Sequence, residues 1–106
     1  MGKFPGHKST WRTQLFDHGS NRDVDATAEA LTSVTTEWEN GVLIKASISN
    51  TGVVYVGNSD VTAGTTDATD GFPLSAGDSL FLEYKRADEI YVIGSAANQI
   101  VYWIAA

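Results

Sequence analysis

Apolar and polar positions alternate most regularly from Val42 to Ile48. Val42, Ile44, Ala46 and Ile48 fall on one face of an extended chain, and Leu43, Lys45 and Ser47 on the other. A period of two marks a half-buried strand. Asn40-Gly41 precedes this run and Ser49-Asn50-Thr51-Gly52 follows it, both strong turn signals. Val53 to Val56 is β-branched and aromatic throughout, which predicts a strand buried on both faces and paired in a hairpin with the one before it. Leu31 to Trp38, rich in Thr and Val, reads as a further strand, whereas Asp25 to Leu31 has helix formers but is too short for more than a turn. Gly57 to Gly71 is polar apart from Val61 and reads as an exposed excursion with one short strand near residues 60–62. Phe72-Pro73-Leu74 returns to the core, with Pro73 arguing for a sheet edge. Ser79 to Tyr84 alternates with Leu80, Leu82 and Tyr84 inward. Glu89 to Ile93 and Gln99 to Ile104 complete the set.

Strands at this spacing, separated by turns, predict an all-β fold: a small antiparallel β-sandwich or barrel of six to seven strands. Residues 1–25 lack the alternation. Gly2, Pro5, Gly6 and Gly19 interrupt them, yet Phe4, Trp11 and Phe16 are more aromatic content than a disordered tail carries. The chain therefore divides into an extended N-terminal arm, 1–25, and a β body, 26–106.

Charge sharpens that division. Residues 1–22 hold Lys3, Lys8, Arg12 and Arg22 against Asp17, a balance of +3; the remaining 84 hold three cations against twelve carboxylates, a balance of −9. An acidic body repels phosphate backbones, so nucleic acid is not the expected partner. A basic, aromatic arm suits an acidic protein surface. No run approaches the ~20 apolar residues of a membrane span, and the opening GKFPGHKSTW lacks the apolar stretch of a secretory signal. With no cysteine there is neither a disulfide nor a thiolate metal site.

The residues offer no catalytic constellation, and no enzyme activity or cofactor is expected. His7 and His18 both lie in the arm, and the β body holds no histidine to activate a nucleophile. Asp60, Asp67 and Asp70 could in principle supply oxygen ligands to calcium, but their spacing is not that of an EF-hand loop, and a solvated loop is the preferred reading. Tyr102 and Trp103 are adjacent on the last strand and must face opposite ways, so one of them points out of the core. An outward aromatic there marks a contact surface. The partner-binding candidates are thus Lys3, Phe4, Lys8, Trp11, Arg12, Phe16 and Arg22 in the arm, with Tyr102 and Trp103 on the body.

The segments IKASISNTGVVYVGNSDVT, GFPLSAGDSLFLE and EIYVIGSAANQIVYWIA resemble small β-proteins encoded among the virion genes of tailed bacteriophages. The matching positions include Asn50, Thr51, Gly52, Val54, Tyr55, Val56, Gly57, Gly71, Phe72, Leu74, Gly77 and Leu80, and the likeness runs over residues 42–104. It implies a structural virion protein. With the basic arm, it points to a capsid decoration (cement) protein that binds between major capsid proteins on the outer surface of the phage head, after synthesis in the host cytoplasm. The resemblance also implies a homotrimer. A carbohydrate- or receptor-binding module of a tail or fibre is the alternative, since the Trp and Tyr residues could stack on sugars.

Overall fold

Val42, Ile44 and Ala46 are buried and Leu43 and Lys45 exposed in the computed structural model, which describes residues 15–106. Around that alternating strand the described residues form eight strands: β1 (Asp17–Val24), β2 (Glu29–Ala30), β3 (Val42–Ala46), β4 (Val54–Gly57), β5 (Phe72–Leu74), β6 (Ser79–Leu82), β7 (Tyr91–Gly94) and β8 (Gln99–Ala105). They make two four-stranded antiparallel sheets, β1-β8-β3-β6 and β2-β7-β4-β5, packed as a small β-sandwich. Val42, Ile44, Val101 and Trp103 of sheet one meet Val54, Val56, Leu74 and Val92 of sheet two in a single core.

The pairing is antiparallel, as the sequence suggests, but the partners are not sequence neighbours. Among the described strands only β4 and β5 are consecutive and paired; every other connection crosses from one sheet to the other. The expected hairpin around Asn50 is therefore a sheet-switching corner. β3 pairs with β6 and β8, and β4 with β5 and β7. The reason is visible at the corner itself. The side chain of Asn50 bonds the backbone of Ile100, and Gly52 N–H donates to the buried Gln99 side chain at 2.8 Å. These three bonds tie the turn to β8 rather than to a hairpin partner.

Three further expectations are corrected. Asp17–Val24 is not part of an extended arm: it pairs with β8 as the edge strand of sheet one. Gly19 is the local cause, because it leaves room for the Trp103 indole, whose Nε1 would lie 2.8 Å from a Cβ at that position. Residues 31–38 are not a strand. They carry the chain from sheet two to sheet one, anchored where Leu31 N–H donates to Ile90 O and Trp38 N–H to Lys85 O, both at 2.8 Å. Leu31 and Trp38 are buried between those anchors. Ile48 does not join the inward face of β3; the strand stops at Ala46, Ser47 Oγ accepts the Ser49 N–H, and Ile48 is 84% exposed.

Candidate functional site

The two sheets differ in what covers their outer faces. On sheet two, Tyr55 and Ile93 point away from the sandwich core. They are covered by the polar loop after β4, which folds back to place Val61 and Ala63 on them. Val61 is almost fully buried. Asp70 holds this loop. Its Oδ1 accepts from Thr62 Oγ1 at 2.6 Å and its Oδ2 from Asp67 N–H at 2.8 Å. The Thr62 hydrogen bond, followed by that from Asp67, keeps the Asp70 carboxyl below its ordinary value. The segment is exposed over residues 58–60 and 65–69, as the composition suggests, and through Val61 and Ala63 it is at the same time a structured cover. Among the described residues no group of three or more His, Cys, Asp or Glu is arranged to hold a metal ion.

Sheet one has no such cover among the described residues. Its register sets His18 beside Ile104, Ile104 beside Leu43, and Leu43 beside Phe81, one residue from each strand in a row across the whole sheet. The next row is Ser20, Tyr102, Lys45 and Ser79. Directly paired residues share a face, and Ile104, Leu43, Phe81 and Tyr102 are all exposed large side chains. The Phe81 ring leans toward Gly41, where a Cβ would meet its Cζ at 2.9 Å, so the glycine lets the ring lie along the sheet.

The candidates read from the sequence distribute unevenly over this geometry. Tyr102 lies on the open face. Trp103 points the other way into the core, with 5% of its surface exposed, so it is not available to a partner. Phe16 is exposed immediately before β1, and Arg22 is exposed on it. Lys3, Phe4, Lys8, Trp11 and Arg12 lie outside the described residues. The sequence reading passed over Ile104, Leu43 and Phe81 as partner-binding residues. Their signal is apolar side chains at the outward positions of alternating strands, which acquires meaning only when register lines them up.

At the edge of the sandwich, between the two sheets, β6 and the β4–β5 pair border a groove of about 330 Å³ lined by Val56, Phe72, Leu80, Leu82, Tyr84 and Ile90. Phe72, expected in the core, stands at this groove with 57% of its surface exposed, because β5 is an edge strand and only Leu74 turns inward. Tyr84 is also exposed; its hydroxyl donates to Glu89 Oε1 at 2.5 Å, and that bond to a carboxylate raises the phenol above its ordinary value. Beside it, Arg86 donates to both oxygens of Asp88 at 2.7 Å.

No protein-family model matches the chain, and no curated protein or solved structure does so either.

Proposed function

We propose that this chain is a structural virion protein of a tailed phage, a capsid decoration protein that docks through the outer face of sheet one onto the major capsid proteins. The observation that carries this reading is the row Ile104–Leu43–Phe81 with Tyr102 beside it, exposed on one sheet while the equivalent face of the other is closed by its own loop. A β-sandwich with one apolar outer face is built to be held against something.

Magnitudes say what kind of attachment this supports. Four strands at ~4.8 Å and five residues at ~3.4 Å give a face of roughly 320 Å². Half of the side chains in its two rows are polar (His18, Ser20, Lys45 and Ser79), so roughly 160 Å² is apolar, and at ~25 cal/mol per Å² its burial contributes about 4 kcal/mol. Association costs about 4–15 kcal/mol in lost freedom, so one face alone binds weakly. Firm retention needs several contacts acting together, either by self-association or through the basic arm. That is the regime of a protein repeated over a shell. A glycan platform is less well served, because Trp38 and Trp103 are both in the core.

Mass spectrometry of purified particles should find the chain, and Leu43→Glu or Ile104→Asp should strip it from them while leaving the isolated protein folded. Particles lacking the chain, or full occupancy by both variants, would defeat the proposal.

A further inference from the structure

The outer strand of a sheet presents unpaired amides and carbonyls, and proteins blunt such edges with short strands, proline, lysine or bulges. Three of the four outer strands here are short: β2 has two residues, β5 has three with Pro73 among them, and β6 has four. β1 is the exception. It runs for eight residues without proline or lysine, and its bulge lies at its far end, between Asn21 and Val24. An open groove of about 740 Å³ follows this edge, with His18 to Asp23 on one side and Ala30 to Val34 on the other.

The ladder fixes which backbone groups point to that edge. Even-numbered residues at the end of the chain bond toward β3: Ile100 O accepts from Ser47 N–H at 3.0 Å, and Ala106 exchanges two bonds with Gly41. Val101, Trp103 and Ala105 therefore bond toward β1, where they face Asn21, Gly19 and Asp17. That leaves the N–H and C=O of His18 and Ser20 aimed away from the sheet. The His18 N–H, turned onto its own Asp17 Oδ1 at 2.8 Å, fits that direction.

We propose that this edge pairs with β1 of a second copy, antiparallel about a two-fold axis at Gly19, so that two copies of sheet one form one eight-stranded sheet. Side chains keep their face across the join, so paired residue numbers are both even or both odd. With Gly19 opposite Gly19, His18 stands opposite Ser20 and Asp17 opposite Asn21, and no like charges meet. A slip of two residues one way sets Asp17 against Asp23, and the other way His18 against His18. The pair on the axis is of the non-hydrogen-bonded kind, where Cα atoms approach to ~4.5 Å and side chains crowd most. Glycine stands there, with the Trp103 indole already filling the space a Cβ would take. Residues 1–14 of the same chain are the competing occupant. To cover β1 as far as Asn21 they would have to reverse within residues 11–16, a stretch with no Gly, Pro, Asn or Asp. The join also carries the open face onward: the row Phe81–Leu43–Ile104–His18 continues into Ser20 and Tyr102 of the second copy. The inference stands without the virion reading.

Sedimentation velocity on the full-length protein tests it, taken to about 500 µM to capture a weak association. The wild type is expected to pass from one chain to two and stop there, because pairing uses up both β1 edges. His18→Glu with Ser20→Glu should lose the dimer, and so should His18→Lys with Ser20→Lys. Both positions are exposed, so each variant should keep its thermal unfolding transition. Mixed together, the two variants should restore a complex of two chains, since every opposed pair then joins unlike charges. As wild-type concentration rises, amide exchange should slow at Ser20 and stay as it was at Gly19, which already bonds toward β8. Leu43→Glu, on the open face, should leave the dimer intact. A wild type that stays monomeric or goes on to three chains overturns the inference. So does a mixture with no two-chain species, a Ser20 amide that does not slow, a dimer that either same-charge variant retains in full, or one that Leu43→Glu abolishes.

Discussion

Asn50 and Ile100, fifty residues apart, exchange a pair of hydrogen bonds: Asn50 Nδ2 donates to Ile100 O at 2.9 Å, and Ile100 N–H donates to Asn50 Oδ1 at 2.8 Å. The side-chain amide takes the place that a neighbouring strand's backbone would fill. It thereby fastens the corner where the chain leaves β3 for the opposite sheet. Asn50→Ala leaves the Ile100 N–H without its partner at a partly buried position, while Ile100 O keeps the Ser47 N–H at 3.0 Å, and should cost about 1–3 kcal/mol, read as a lower urea midpoint. Asn50→Asp keeps the acceptor but, when ionised, turns a carboxylate toward the Ile100 carbonyl. Its loss should therefore be smaller in acid, where the protonated carboxyl can donate again.

Gly71 should tolerate no side chain. A Cβ there would stand 2.6 Å from Val61 Cγ2 and 2.8 Å from the Val56 carbonyl oxygen. The valine can yield only by leaving the cover over Tyr55 and Ile93, and the carbonyl belongs to β4. Gly71→Ala is expected to cost roughly 1–3 kcal/mol as an overpacking change. It should also raise amide exchange in the loop of residues 58–70 more than in β3 or β8. Equal exchange across the molecule would argue against this account.

The pH dependence of stability should have two limbs of opposite sign. Asp88, held down chiefly by the Arg86 hydrogen bonds, and Asp70, held down chiefly by Thr62, both lie below the ordinary 3.8 in the folded protein. Their contributions are complete above 3.8 and disappear as pH falls through the depressed values. Tyr84 lies above the ordinary 10.0 because its proton is shared with Glu89, so its contribution is complete below 10.0 and disappears as pH rises through the raised value. Denaturant midpoints should fall at both extremes. Asp70→Asn with Asp88→Asn should flatten the acid limb alone, and Tyr84→Phe the alkaline limb alone.

Where the arm is cut decides what a truncation reports. Removing residues 1–14 leaves every described strand in place and should move the thermal midpoint little. Removing residues 1–22 takes most of β1, uncovers Trp103 beside Gly19 and breaks the Asn21 Nδ2 to Glu29 bond of 2.9 Å between the two sheets. That protein should melt several degrees lower, with a red-shifted tryptophan emission. If both truncations melt alike, β1 does not contribute to the sandwich as described.

Sequence patterning was a reliable guide where one physical rule governed. The inward set of β3, the double burial of Val54 to Val56 and the edge position of Pro73 all follow from side-chain alternation or from a missing amide proton. It misled where a residue's role depends on a distant partner. His18 and Ser20 read as arm because their polarity gave no period; they are strand residues because Ile104 and Tyr102 lie beside them. Asn50 reads as a hairpin turn until Ile100 is found against it.

Alternation, turn residues and charge are local properties, and they suffice to make this an all-β chain with a basic, aromatic N-terminal segment on an acidic body. Which strands are neighbours, and with that which apolar residues are covered, is set by contacts between distant parts of the chain. Leu43, Phe81 and Ile104 are separate outward side chains along the sequence. They become one surface because the chain switches sheets at nearly every turn and brings β3, β6 and β8 side by side. The one connection that stays within a sheet, the polar loop from β4 to β5, closes sheet two and not sheet one, and the strand order puts the exit of the basic segment and the apolar groove at opposite edges of one sheet.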